Sequence, residues 1–160
     1  MKNFWKALLA VIIMVIVAEL IQTVIAQFSM SYYMDEAYFG LWSKLMMPEA
    51  GPPPASFMVY SVLSQLASAI IAVFVFYLLG SAVPGSGAKR GLLFGLLMFL
   101  VAGISSMLTF VLLLNIPFGL IMWWTLASLL IFLISGLFIG LLVAPRYELR
   151  IVEKTELEIK

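Results

Sequence analysis

The chain contains no cysteine and no histidine among its 160 residues. Without cysteine it has no disulfide, no thiolate nucleophile and no Cys-ligated metal or iron–sulfur site. Without histidine it lacks haem ligation by His, His-based metal sites and the usual side chain for proton transfer near neutral pH. These two absences exclude most redox, haem and metalloenzyme functions, so we expect no metal and no cofactor.

Charged residues are also scarce, at 11% of the chain with a net charge of +1. The nine basic residues are scattered, and none of them forms the patch that a nucleic-acid partner requires. Hydrophobic residues make up 64% of the chain, and the mean hydropathy is +1.16. Soluble domains are only about half apolar. We therefore expect an integral membrane protein that has the lipid bilayer, and no nucleic acid, as its partner.

Four long apolar stretches are separated by short breaks. Each has about twenty residues or more, which at about 1.5 Å per residue spans the hydrocarbon core of a bilayer of about 30 Å. The breaks include Gly80 to Gly87 and the turn Asn115-Ile116-Pro117. We predict an all-α fold, an integral membrane four-helix bundle formed by one domain over residues 1–146. The predicted spans cover residues 7–27, 57–79, 91–114 and 118–143.

The one sizeable loop lies between the first two spans and carries aromatic residues at helical spacing. That spacing predicts a short amphipathic helix lying in the membrane interface. Gly51-Pro52-Pro53-Pro54 then prevents helix and forms a stiff connector. Two interpretations fit the loop, a packed cap over the bundle and a lid over a substrate site. The apolar residues of the predicted helix are Tyr38, Phe39, Leu41, Trp42, Leu45 and Met46.

Lysine and arginine near the span ends predict the orientation. With four spans, Lys44 is the only basic residue on one side. We predict a multi-pass protein of the cell (cytoplasmic) membrane, with both termini cytoplasmic and the aromatic loop outside. The basic residues near the span ends on the predicted cytoplasmic side are Lys2, Lys6, Lys89, Arg90, Arg146 and Arg150.

Both ends of the chain leave alternatives open. A secretory signal peptide cleaved after Ala26 competes with the first span, but its apolar stretch would be unusually long and Glu19 interrupts it. Residues 147–160 form a charged cytoplasmic tail, for which a strand, a frayed helix and a disordered segment all fit.

Glu19 lies inside the first span, where a carboxylate costs on the order of 2 to 3 kcal/mol or more. Because adjacent spans run antiparallel, polar residues of the other spans can reach its level. Two interpretations remain open. The layer is a site for a proton, a cation or an amine, or Glu19 is a protonated hydrogen-bond donor among Ser and Thr residues that join helices. The predicted layer contains Glu19, Gln22, Ser61, Gln65, Ser68, Ser106, Thr109 and Ser128.

Two motifs of small residues predict close packing between helices, Gly91-x-x-x-Gly95 and Gly136-x-x-x-Gly140. The chain also contains the stretch from Gly91 to Leu97, the turn Asn115-Ile116-Pro117, Trp124 and the segment from Gly136 to Gly140. Through these features the chain resembles small four-span membrane proteins of the domain-of-unknown-function type. The resemblance implies the four-span architecture and no activity.

There is no second intramembrane acid for paired acid–base chemistry and no set of Ser, His and Asp, so we expect no enzyme. Two other functions are compatible with these features. The first function is a non-enzymatic membrane protein that packs with membrane-protein partners or with itself as a homo-oligomer. The alternative is a small transporter or channel component in which Glu19 binds a proton or cation in an outward-facing polar layer.

Overall fold

A computed structural model describes residues 2–42, 46 and 53–143, and every regular element within these ranges is helical. The helix Phe99–Ile104 is a π-helix that joins the helices Gly87–Met98 and Ser105–Leu113, so that Gly87–Leu113 is one continuous helix. Two short 3-10 helices cover Glu36–Leu41 and Gly80–Ala82. The α-helices are α1 (Lys2–Tyr33), α2 (Ala55–Leu79), α3 (Gly87–Met98), α4 (Ser105–Leu113) and α5 (Phe118–Leu142).

Four helical segments are long and apolar enough to cross a membrane, which confirms the predicted all-helical fold with four such helices. They are Phe4–Tyr33, Ala55–Ala82, Gly87–Leu113 and Phe118–Leu142.

The first helix is longer than the predicted span over residues 7–27. The sequence has no glycine before Gly40 and no proline before Pro48, so nothing ends the helix after Gln27. Its last turn instead packs on α5, where a Cβ added to Gly119 would meet the hydroxyl of Tyr32. The loop that follows α1 is correspondingly shorter than the sequence predicts.

The long helices alternate in direction along the chain. We call the end with the N-terminus of α1 the lower end of the bundle, and the end with its C-terminus the upper end. Helix α5 is central because it packs on α1 and on α3, whereas α2 packs along α1. Within the described ranges, α2 meets α3, α4 and α5 at most at isolated points.

The four predicted packing glycines lie together where α3 crosses α5, and we call them the glycine seam. A Cβ added to Gly91 would meet the carbonyl oxygen of Gly136 and lie 2.7 Å from the Cα atom of Gly140. A Cβ added to Gly136 would lie 2.9 Å from the Cα atom of Gly95. Any side chain here would push the two backbones apart, so the seam requires glycine.

The lower half of the bundle is filled by apolar side chains. The rings of Phe76 and Phe94 meet edge to face, with centroids 5.0 Å apart. Val73, Ile139 and Val143 are buried around them. This lower core closes the bundle below the level of Glu19.

The predicted amphipathic helix at a membrane interface stays a prediction. In this loop the described residues form a six-residue 3-10 helix, Glu36–Leu41. The Asp35 carboxylate caps it by accepting a hydrogen bond of 3.0 Å from the backbone N–H of Ala37. Residues 43–45 and 47–52 of this loop, and the predicted tail 147–160, lie outside the described residues.

Candidate functional site

A cavity of about 640 Å³ lies between α1, α2, α3 and α5 and extends from the lower core into the upper half of the bundle. Its lower end is closed by Met14, Phe94 and Ile139 of the lower core. Its upper part reaches Tyr33 and Trp124. The cavity is only partly enclosed by the described residues.

Six of the eight residues in the predicted polar layer line this cavity. They come from three helices. Because α1 runs antiparallel to both α2 and α5, the three helices bring polar residues to similar levels. The six are Glu19, Gln22, Ser61, Gln65, Ser68 and Ser128.

The Glu19 carboxyl group lies on the cavity wall and is half-buried. Its Oε1 atom accepts a hydrogen bond of 3.1 Å from the hydroxyl of Ser61. The hydroxyl of Thr23 donates to the backbone carbonyl of Glu19 at 2.7 Å, so Thr23 does not satisfy the carboxyl group. No Lys or Arg is found among the described residues that line the cavity. The carboxyl group therefore has no basic partner there.

Two side-chain amides lie on the same wall, those of Gln22 and Gln65. Within residues 2–42, 46 and 53–143, neither amide makes a hydrogen bond to another side chain or to the backbone. Each amide can donate and accept. Together with Glu19 they form a polar surface that is available to a ligand or to water.

Ser106 and Thr109 do not line the cavity. Their hydroxyls donate to carbonyl oxygens of their own helix, Ser106 to Ala102 at 2.7 Å and Thr109 to Ser105 at 2.9 Å, and both residues are exposed. The prediction placed them on an uninterrupted α-helix. The π-helix takes up one more residue per turn than an α-helix, which rotates the residues of α4 away from those positions.

An aromatic cluster that the sequence did not predict caps the upper part of the cavity, formed by Tyr33, Trp42, Phe110 and Trp124. The ring of Tyr33 lies 5.0 Å from that of Trp42, and the ring of Phe110 lies 5.9 Å from that of Trp124. Trp124 donates a hydrogen bond of 2.7 Å from Nε1 to the hydroxyl of Tyr33. A signal for Trp124 was present, because it lies four residues before Ser128 and so shares its helix face.

The remaining walls are rich in flexible apolar side chains. Half of the chain's ten methionines line the cavity. Methionine is unbranched and polarizable, so it adapts to ligands of different shapes. The five are Met14, Met30, Met46, Met58 and Met98.

The π-helix packs directly beside this site. A Cβ added to Gly103 would lie 2.7 Å from the ring of Phe99 and 3.1 Å from the hydroxyl oxygen of Ser128. Glycine therefore allows the widened turn to approach α5 at the level of Ser128. Single π turns inside α-helices occur often at functional sites.

Comparisons of the chain with models of protein families, with curated proteins and with solved structures find no match. The resemblance to small four-span membrane proteins therefore stays a prediction. The cavity and its polar wall are the features from which a function can be proposed.

Proposed function

We propose that the chain is a multi-pass integral membrane protein that crosses the bilayer four times. The four apolar helices of sufficient length support this. The lower end of the bundle, where Lys6, Lys89 and Arg90 lie, faces the cytoplasm in this proposal. The upper end, with the 3-10 helix Glu36–Leu41 at the membrane interface, faces outward.

The function we propose is uptake of a cation from the outer side into the cavity, as a small transporter or a channel component. The observation that carries it is the Glu19 carboxyl group on the wall of a partly enclosed cavity without a basic partner. This corresponds to the alternative function expected from the sequence. An acid in a spanning helix that faces a cavity marks an ion or substrate pathway by default.

The energetics support a role beyond packing. A charged acid near the centre of a spanning helix costs about 2.5 to 3.5 kcal/mol, whereas a hydrogen bond between spanning helices contributes about 0.6 kcal/mol on average. The single bond from Ser61 therefore does not offset the cost of Glu19. A bound cation would supply the missing interaction.

The native chain has no cysteine, so a single introduced thiol reports on the cavity without interference. Ser128→Cys places the thiol on the cavity wall, and Leu126→Cys places a matched thiol on α5 two residues away, outside the cavity lining. In right-side-out vesicles, each variant is treated with a cationic trimethylammonium-ethyl methanethiosulfonate and with its anionic sulfonatoethyl counterpart.

We expect the thiol of Ser128→Cys to react from outside, and the cationic reagent to react at least tenfold faster than the anionic one. This ratio should fall towards that of Leu126→Cys when Glu19→Gln is added, because the charge that attracts the cation is gone. No reaction of Ser128→Cys from outside, or equal rates for the two reagents, would contradict the proposal.

A second candidate is assembly with a membrane-protein partner or with a second copy of the chain. The observation that favours it is the position of α2, which packs along α1 and leaves its other face exposed. Ser64 and Ala67 lie on that exposed face, and neither lines the cavity. Small residues on one face of a helix allow another helix to approach closely.

Light scattering of the protein in lipid nanodiscs of excess size tests this candidate. If assembly occurs through α2, Ala67→Trp should reduce a dimeric or larger mass to that of one chain, while Leu112→Trp on exposed α4 should not. A single-chain mass for the wild-type protein would remove self-assembly as a function.

A further inference from the structure

We propose that the cavity binds a monovalent organic cation that carries a compact apolar group, such as a hydrophobic amine or quaternary ammonium. This inference rests on the proposed function and specifies its ligand. It is drawn from the charge of the cavity wall, the chemistry of the remaining walls and the side on which the cavity is incomplete.

The charge of the wall indicates a monovalent cation. Glu19 is the only Asp or Glu among the described lining residues. A divalent ion such as Ca²⁺ is held by six to eight oxygen ligands, usually with several carboxylates. One carboxyl group flanked by the neutral amides of Gln22 and Gln65 matches one positive charge.

The walls around Glu19 indicate that the cation carries an apolar group. Phe57 and Met58 lie one turn from Ser61 on α2, and Met30 faces the cavity from α1. The volume of about 640 Å³ lies within the range of roughly 300 to 1,000 Å³ that is typical of sites for drug-sized molecules. A bare metal ion would leave these apolar walls without a contact.

The aromatic cluster supplies a second feature that suits such a ligand. Tyr33 and Trp124 both line the cavity above the polar wall. The faces of Tyr and Trp rings attract ammonium groups and contact apolar substituents equally well. A bound organic cation is thus met by the carboxyl group on one side and by apolar and aromatic surface on the others.

The cavity is incomplete on the side between α2 and α4. No described residue of α4 lines it, and α2 meets α4 at most at isolated points. Met58 lines the cavity and is nevertheless 50% exposed, and Ser68 also remains exposed. In the proposed membrane orientation this gap faces lipid, where cations with apolar groups concentrate and inorganic ions do not.

The test uses protection of the single thiol in Ser128→Cys, in the full chain in phosphatidylcholine nanodiscs. The neutral reagent methyl methanethiosulfonate modifies the thiol, and modification is followed by mass spectrometry. Three probes are added at increasing concentration. Benzyltrimethylammonium carries charge and an apolar ring, tetramethylammonium lacks the ring, and neopentylbenzene replaces the charged nitrogen by carbon in the same shape.

We expect benzyltrimethylammonium to protect the thiol at a concentration at least tenfold below that needed for tetramethylammonium, because its ring is buried against the apolar wall. Neopentylbenzene should not protect at that concentration. Glu19→Gln should raise the half-protecting concentration at least tenfold, and Glu36→Gln, which removes an exposed acid outside the cavity, less than twofold. If the thiol of Ser128→Cys is modified at an unchanged rate when Glu19→Gln is added and no probe is present, the cavity is intact in that variant.

Equal protection by the two cations would overturn the inference and leave the proposed cation site standing. Equal protection by neopentylbenzene, or an unchanged half-protecting concentration in Glu19→Gln, would overturn it because charge would not be recognised. Absence of protection by both cations, with a thiol that reacts from outside, would likewise overturn it.

Discussion

The hydroxyl of Ser61 lies 3.1 Å from Oε1 of Glu19 and donates a hydrogen bond that joins α2 to α1. The helix pair is otherwise held largely by apolar contacts of the lower core, such as those of Val11 and Val73. The carboxyl group that we propose as the ligand site thus also contacts α2. In that proposal, ligand binding at Glu19 is coupled to the position of α2.

Removing this hydrogen bond should have a small and specific effect. We expect Ser61→Ala to lower the free energy of unfolding by about 0.6 kcal/mol, the average for a hydrogen bond between spanning helices. That corresponds to a fall in the thermal midpoint of about 1 to 3 °C for a chain of this size. Ser64→Ala, on the exposed face of the same helix, is the control. Equal shifts for the two variants would show that the bond is not formed.

The glycine seam should tolerate no side chain. Gly136→Ala and Gly91→Ala each place a Cβ against the backbone of the facing helix, so we expect a loss of about 1 to 3 kcal/mol. Alanine otherwise favours helix over glycine, so the clash is the only source of a loss. Gly40→Ala, where no atom lies within 4 Å of the added Cβ, should leave the thermal midpoint unchanged. A stabilised Gly136→Ala protein would mean that α3 and α5 do not meet at these residues.

The hydrogen bond between Trp124 and Tyr33 gives a third prediction. Tyr33→Phe removes the acceptor of the Trp124 indole N–H, which is left unpaired in a half-buried site. We expect a loss of about 1 kcal/mol in thermal unfolding and a change in tryptophan emission. Tyr60→Phe removes a hydroxyl from a side chain that is 60% exposed and serves as the control. If both variants leave the emission spectrum unchanged, the aromatic cluster is not assembled as described.

The π-helix predicts an unusual tolerance to deletion. A π turn holds one more residue than an α turn, so deleting Val101 from Phe99–Ile104 lets the segment become α-helical while α3 and α4 keep their faces. Deleting Leu92 from α3 instead changes the spacing between Gly91 and Gly95, and the π-helix, which lies after both, cannot restore it. Both side chains are exposed, so neither deletion removes a core contact.

We therefore expect the protein without Val101 to fold, with a thermal midpoint within about 5 °C of wild type, and the protein without Leu92 to be lost in expression and size-exclusion chromatography. Folding of both proteins, or loss of both, would contradict the assignment of the π-helix.

Much of the architecture was predictable from the sequence because each stretch of about twenty or more apolar residues between two breaks forms one long helix. The glycine seam was visible for a related reason, since small residues four apart lie on one helix face. Antiparallel spans and a comparison of depth placed Ser61 in the predicted layer with Glu19, but they did not single out the hydrogen bond between the two residues. Each of these inferences uses a regular helix, and each holds where the helix is regular.

The parts that could not be predicted depend on departures from regularity or on contacts distant in sequence. The π-helix has no distinct sequence signal, and it moved Ser106 and Thr109 away from the cavity. The position of Trp42 beside Tyr33 and Trp124 is set by the path of the loop after α1, which periodicity does not describe.

The central position of α5 has a consequence for biosynthesis. Helices α1 and α3 both pack on α5, yet α5 is the last of the five helices to leave the ribosome. Until it does, the cavity lacks one wall and the glycines of α3 have no facing helix, whereas α2 is already present beside Glu19. A nascent chain that is stalled or truncated before Phe118 therefore leaves the glycine face of α3 uncovered, which distinguishes an unfinished chain from a finished one.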